Sequence, residues 1–195
     1  MNNLIIDDKL KIIGLIALIF LLPNLIQAQE FSLNNQESTL AVYGTSSLHD
    51  WHVTAENKSG KLICTNLETG ELKSCSFKVL AESLKSGKGA MDKNTYKALK
   101  TDKYKAITYE LVEVKEIINQ GPGKFLLKSV GNLTITDAKK LIPIDFVLHV
   151  ENNKITLKGE KAIKMTDYNI DPPKALFGTI TTGNDLTIKF TSIYK

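Results

Sequence analysis

Arginine is absent from this 195-residue chain, so all 25 of its basic residues are lysines. Arginine supplies the planar fork that grips phosphates and guanine edges bidentately. Its absence argues against sequence-specific nucleic-acid recognition, and the formal net charge of +4 reads as a solvated lysine shell. Cysteine is scarce: Cys64 and Cys75 are the only two, too few to complete a zinc shell. No Gly-x-Ser-x-Gly segment surrounds any serine, which removes the usual setting of a hydrolase nucleophile. There is no internal repeat and no low-complexity stretch. The longest apolar run, residues 12–22, is shorter than the ~20 residues a membrane span needs and ends at Pro23.

That run has the form of an export signal. Lys9 and Lys11 precede it, and Ile26-Gln27-Ala28 offers a cleavage site. The expectation is a signal peptide at 1–28, a single domain at 29–195, and a periplasmic protein. In such an oxidising compartment Cys64 and Cys75 are free to bridge. A two-residue hairpin turn at Thr69-Gly70 would set them opposite each other. A disulfide there would stabilise by about 3 kcal/mol in the loop-entropy picture. The other reading is two free thiols packed as small hydrophobes.

The segment from Ile142 to Val150 carries large apolar residues at every even position: Ile142, Ile144, Phe146, Leu148 and Val150. A period of two means an extended strand with one buried face. The same alternation recurs at 39–43, 51–56, 74–81, 106–117, 125–135 and 185–194. Ser59-Gly60, Asn119–Gly123, Asp137-Ala138 and Asn152-Asn153 read as turns, and Asp171-Pro172-Pro173 as a loop. One stretch breaks the pattern. Over 91–100, Met91, Thr95, Ala98 and Leu99 share one side of a helix, and Lys93, Lys97 and Lys100 the other. A helix this short must dock on the sheet. The expected fold class is all-β, an antiparallel barrel of about eight strands with one inserted amphipathic helix.

The segment Met91-Asp92-Lys93-Asn94-Thr95-Tyr96-Lys97-Ala98-Leu99-Lys100, with Tyr104-Lys105-Ala106-Ile107-Thr108-Tyr109 after it, resembles the helix and following strand of the YceI-like family. Ala106 stands where members often carry proline. Val130–Thr136 is similar to the family's strand ending in Leu-Thr-Ile, and Met165–Ile170 to its late segment. Leu48-His49-Asp50-Trp51-His52-Val53 departs from the commoner single-histidine form. The resemblance spans roughly residues 38–194. It implies an exported, lipocalin-like barrel whose apolar lumen takes a polyisoprenoid or a similar long amphiphile, with no reaction, metal or cofactor.

Alternation assigns an inward set: Leu40, Val42, Trp51, Val53, Phe77, Val79, Ile107, Tyr109, Leu133, Ile144, Phe146, Leu148, Leu186, Ile188 and Phe190. Two readings of it stay open. The side chains line a cavity for a lipid, with Tyr109, Tyr96 or Trp51 orienting a headgroup, or they meet and fill the barrel. In the second case the protein is an interaction module without a small ligand. The best residues for an enzyme are His49, Asp50 and His52; on one strand His49 points away from both others, whereas a turn at Ser46–Asp50 would let His49 and His52 converge. No catalytic role is expected. Lys85, Lys88, Lys93, Lys97, Lys100, Lys103 and Lys105 form a basic cluster, read either as a solvated helix face or as a transient contact with an anionic membrane surface.

Overall fold

The alternating segments do become strands. A computed structural model of the chain describes residues 28–175 and 178–195. The expected signal peptide, apart from Ala28, lies outside the described residues. In chain order the elements are β1 (Gln29–Ser32), β2 (Thr39–Ser46), β3 (Trp51–Ala55), β4 (Lys58–Asn66), β5 (Glu71–Leu80), β6 (Leu84–Lys85), helix α1 (Gly89–Leu99), β7 (Ala106–Asn119), β8 (Lys124–Ile135), β9 (Ala138–Glu151), β10 (Lys154–Lys164), β11 (Lys174–Ala175) and β12 (Ile180–Tyr194). Neighbours run β1-β4-β5-β7-β8-β9-β10-β12-β2-β3-β6, with β11 beside β12.

The strand count exceeds the expected eight because one long strand is broken by a bend into β3 and β4, and because β1, β6 and β11 are short additions. Only Glu56 and Asn57 separate β3 from β4. At that bend Glu56 N–H donates to the Ser83 carbonyl and Lys58 Nζ to the Ala55 carbonyl at 2.7 Å. Taken together, β3 and β4 pair with β2 on one side and β5 on the other, so the ladder returns to its start. The eight staves of this lipocalin-like antiparallel barrel are β2, β3–β4, β5, β7, β8, β9, β10 and β12. Beyond β2, the short β1 pairs with β4, while Ser32 and Lys195 exchange backbone hydrogen bonds of 2.9 and 3.0 Å.

The two ends of the barrel differ. At one end the hairpin turns are tight, Asn152 and Asn153 both taking the left-handed conformation that a two-residue turn requires. Phe31, Leu62, Leu127, Leu148, Ile155 and their neighbours pack there into a solid plug. At the other end sit α1, the Ser46–Asp50 loop and a 3₁₀ turn, Met165–Tyr168. Helix α1 starts two residues before the expected position and stops at Lys100, which turns left-handed (φ 51°).

Two local expectations fail. Ser59-Gly60 is no turn but lies inside β4. Glycine serves there for close approach: a Cβ at Gly60 would meet the Ser76 carbonyl oxygen at 2.3 Å. The cysteines are not opposed either. The chain turns over four residues, 67–70, and not over Thr69-Gly70 alone, so Asn66 faces Glu71 and Cys75 faces Leu62, while a local irregularity sets Cys64 opposite Leu72. Both are free, buried thiols. A four-residue turn moves every pair beyond it by two positions from the count for a two-residue turn.

Candidate ligand-binding site

Above the plug the barrel encloses a cavity of about 450 Å³. This falls within the range of ordinary ligand pockets. Fourteen of the fifteen residues assigned inward by alternation line it, from Leu40 on β2 to Phe190 on β12. Leu148 is the exception. It has the right face but the wrong depth: it is fully enclosed in the plug, beside Leu127 and Ile155.

Glycines explain why so many inward aromatic rings do not fill the space. A Cβ at Gly44 would sit 2.2 Å from the Trp51 ring, one at Gly131 2.4 Å from the Tyr109 ring, and one at Gly159 2.9 Å from the Phe190 ring. Gly44–Trp51 and Gly159–Phe190 are direct cross-strand partners, and Gly131 is diagonal to Tyr109. Each ring therefore lies against a bare patch of backbone on the neighbouring strand. Any side chain at those glycines would push the ring into the lumen.

The mouth is shaped by α1 and by the 3₁₀ turn. Met91, Thr95, Ala98 and Leu99, the side of the helix expected to dock, line the cavity. Ser86 N–H and Oγ–H both donate to Asp92 Oδ1, at 2.7 and 2.6 Å, and these bonds hold the Asp92 carboxyl below its ordinary pKa. Lys93, Lys97 and Lys100 are exposed on the opposite side. Across the opening, Thr136 Oγ1 donates to the Tyr168 carbonyl at 2.7 Å and Asn169 Nδ2 to Asp137 Oδ1 at 3.1 Å. These bonds fix the 3₁₀ turn to the β8–β9 hairpin and seat Met165 and Tyr168 on the cavity wall.

Of the three residues expected to orient a headgroup, one keeps a free polar atom. Tyr96 Oη donates to the Glu82 carbonyl at 2.8 Å and accepts from Lys85 Nζ, so it anchors the helix. Trp51 Nε1 donates to the Thr45 carbonyl at 2.9 Å. Tyr109 Oη is buried without a hydrogen-bond partner, as is Tyr168 Oη. Burial raises the pKa of both phenols, that of Tyr168 to about 12. Near the plug, Cys75 Sγ and Tyr194 Oη lie 3.6 Å apart, both on the cavity wall. Burial pushes the Cys75 thiol up to about 11 and the Tyr194 phenol well above its usual value.

His49 and His52 do not converge. His49 Nδ1 lies 2.8 Å from the Asp50 carbonyl oxygen in the loop at the mouth, whereas His52 stacks on Tyr43 outside the barrel, centroids 5.6 Å apart. Among the described residues no three His, Cys, Asp or Glu side chains are grouped to hold a metal.

The YceI-like domain family model matches residues 31–192, nearly the whole of this barrel. The chain belongs to the YceI-like family. Solved structures share the fold of this YceI-like chain. BcnA of Burkholderia cenocepacia matches at TM-score 0.67 and 14% identity, covering 83% of this chain and 98% of its own. A polyisoprenoid-binding domain from Saccharophagus degradans, implicated in plant cell wall breakdown, matches at 0.67 and 13%, covering 85% and 97%. The YCEI protein of Campylobacter jejuni matches at 0.60 and 17%, covering 72% and 82%. At these identities the likeness concerns the fold. No curated protein matches the sequence.

The YceI-like wall also holds residues outside the inward set that alternation assigns. Leu157 and Ile163 on β10 line the cavity, and Lys161 stands between Gly159 and Ile163 on the same face. Their signal is the period-two continuation of Ile155 and Leu157 through Gly159 to Lys161 and Ile163. Met165, Tyr168 and Ile170 had no such signal, because a 3₁₀ turn carries no period of two.

Proposed function

We propose that this YceI-like protein is an exported, periplasmic carrier that sequesters a long apolar amphiphile, a polyisoprenoid or similar lipid, in its barrel lumen. The observation that carries this reading is the enclosed apolar cavity, kept open by aromatic rings lying against glycines. Its walls remove a hydrocarbon chain from water, at roughly 0.8 kcal/mol per buried methylene. The name of the Saccharophagus relative, a polyisoprenoid-binding domain, points to the same ligand class. The lumen does no chemistry in this reading. The exposed Lys93, Lys97 and Lys100 on α1 would touch anionic headgroups while the ligand enters or leaves, each adding about 1 kcal/mol of attraction.

Native mass spectrometry of the purified chain, followed by organic extraction, tests the proposal. An apolar ligand of defined mass, displaceable by a hydrophobic dye that enhances on binding, is expected. A protein that carries no ligand and binds no dye would instead act through its outer surface.

A further inference from the structure

The cavity is apolar except for a few groups, and their signs are one-sided. Among the described residues its charged lining residues are Lys88, Lys161 and Lys174, with no aspartate or glutamate. Lys88 and Lys174 belong to the mouth, Lys88 directly preceding α1 and Lys174 opening β11. Lys161 is different. It lies on the inward face of β10, directly across from Ile188 on β12 and flanked on its own strand by Gly159 and Ile163. Three residues separate it from Leu157 near the plug and three from Met165 at the mouth, so it sits partway down the wall. Its outward neighbour Glu160 approaches Lys189 at 3.8 Å, but among the described residues no carboxylate pairs with Lys161.

A cation on an apolar wall costs stability unless something pairs with it. The hydroxyls of Tyr109 and Tyr168 also lack partners, but both oxygens are closed off from the lumen, so Lys161 is the group on this wall that a ligand can answer. The ligand feature that answers it is an oxygen atom that accepts a hydrogen bond and bears negative charge. We propose that the lumen takes amphiphiles with an anionic oxygen head, a carboxylate or a phosphate, and that Lys161 is the counter-ion. This inference rests on the carrier reading above and narrows its ligand. The head enters the barrel far enough to meet Lys161, rather than remaining among the lysines outside, and the tail occupies the remaining apolar space.

The test compares three ligands of one tail on the delipidated chain: hexadecanoate, hexadecyl phosphate and hexadecanol, followed by calorimetry or dye displacement at neutral pH. At least one anion is expected to bind on the order of tenfold more tightly than the alcohol, the scale of a charge-assisted hydrogen bond. Whichever anion shows the larger preference identifies the head. Lys161→Met keeps the stem and removes the charge. It should abolish the preference, so that both anions bind no more tightly than hexadecanol. Lys158→Met, on the outward face of the same strand, should retain the preference. Equal binding of anions and alcohol by the unmodified chain, or a preference that survives in Lys161→Met, would overturn this inference alone. Failure of all three to bind would overturn the carrier reading with it.

Discussion

The Tyr109 ring lies against Gly131 so closely that a Cβ on that glycine would stand 2.4 Å from the Tyr109 hydroxyl oxygen. The relationship joins two strands and decides how much of the barrel is empty. Gly131→Ala therefore has to move the ring inward. The expected outcome is a loss of about 1–3 kcal/mol in denaturant stability, as for other overpacked cores, together with weaker dye or lipid binding. A variant that keeps both would mean the ring does not gate the lumen volume.

Trp51 is the only tryptophan, it lines the cavity, and its ring lies against Gly44. Its fluorescence should report occupancy directly. A hydrophobic ligand is expected to shift the emission of the purified chain, and Gly44→Ala to change the starting spectrum and reduce the response. Emission indifferent to saturating ligand would place the ligand elsewhere.

Depth along the barrel should separate stability from binding. Leu148→Ala removes a fully enclosed side chain from the plug and is expected to cost about 2–5 kcal/mol with little effect on ligand affinity. Ile188→Ala removes a side chain that faces the cavity. It should cost about 1 kcal/mol of stability and mainly alter affinity. Thermal unfolding and dye titration on the two variants check the contrast.

Cys75 lines the lumen yet is buried, with its thiol raised to about 11. Little thiolate exists near neutrality, and thiolate is the reactive form. Alkylation of the folded protein by iodoacetamide should be slow, should quicken on unfolding, and should slow further when a lipid occupies the cavity. Mass spectrometry of the labelled peptide measures all three.

The docking of α1 should respond to acid. The Ser86 hydrogen bonds depress the Asp92 pKa below its ordinary value of 3.8. A carboxyl with a folded pKa below its unfolded one contributes stability that is fully present above the unfolded value. That contribution is lost as pH falls through the folded value. Hydrogen exchange of α1 amides should therefore speed up selectively in acid. Asp92→Asn should remove this acid-side step and leave the helix equally mobile across the range.

How far the sequence reaches is visible in particular residues. Ile142, Ile144, Phe146 and Leu148 announced their shared face, because a period of two is a local property of extended backbone. The helix over 91–100 announced the side it docks for the same reason. Depth was not legible: Phe146 lines the cavity and Leu148, two residues on, is in the plug. Nor was the cysteine pairing, since the turn takes in four residues, 67–70, and sets Asn66 opposite Glu71. Identity of residues along one strand thus determined strands, faces and the apolar character of the interior. Only the tertiary structure decided that the interior is hollow, because the space depends on which glycine on one strand meets which ring on the next. It also decided that Lys161 faces inward with no carboxylate beside it among the described residues, a fact that depends on every other stave of the barrel.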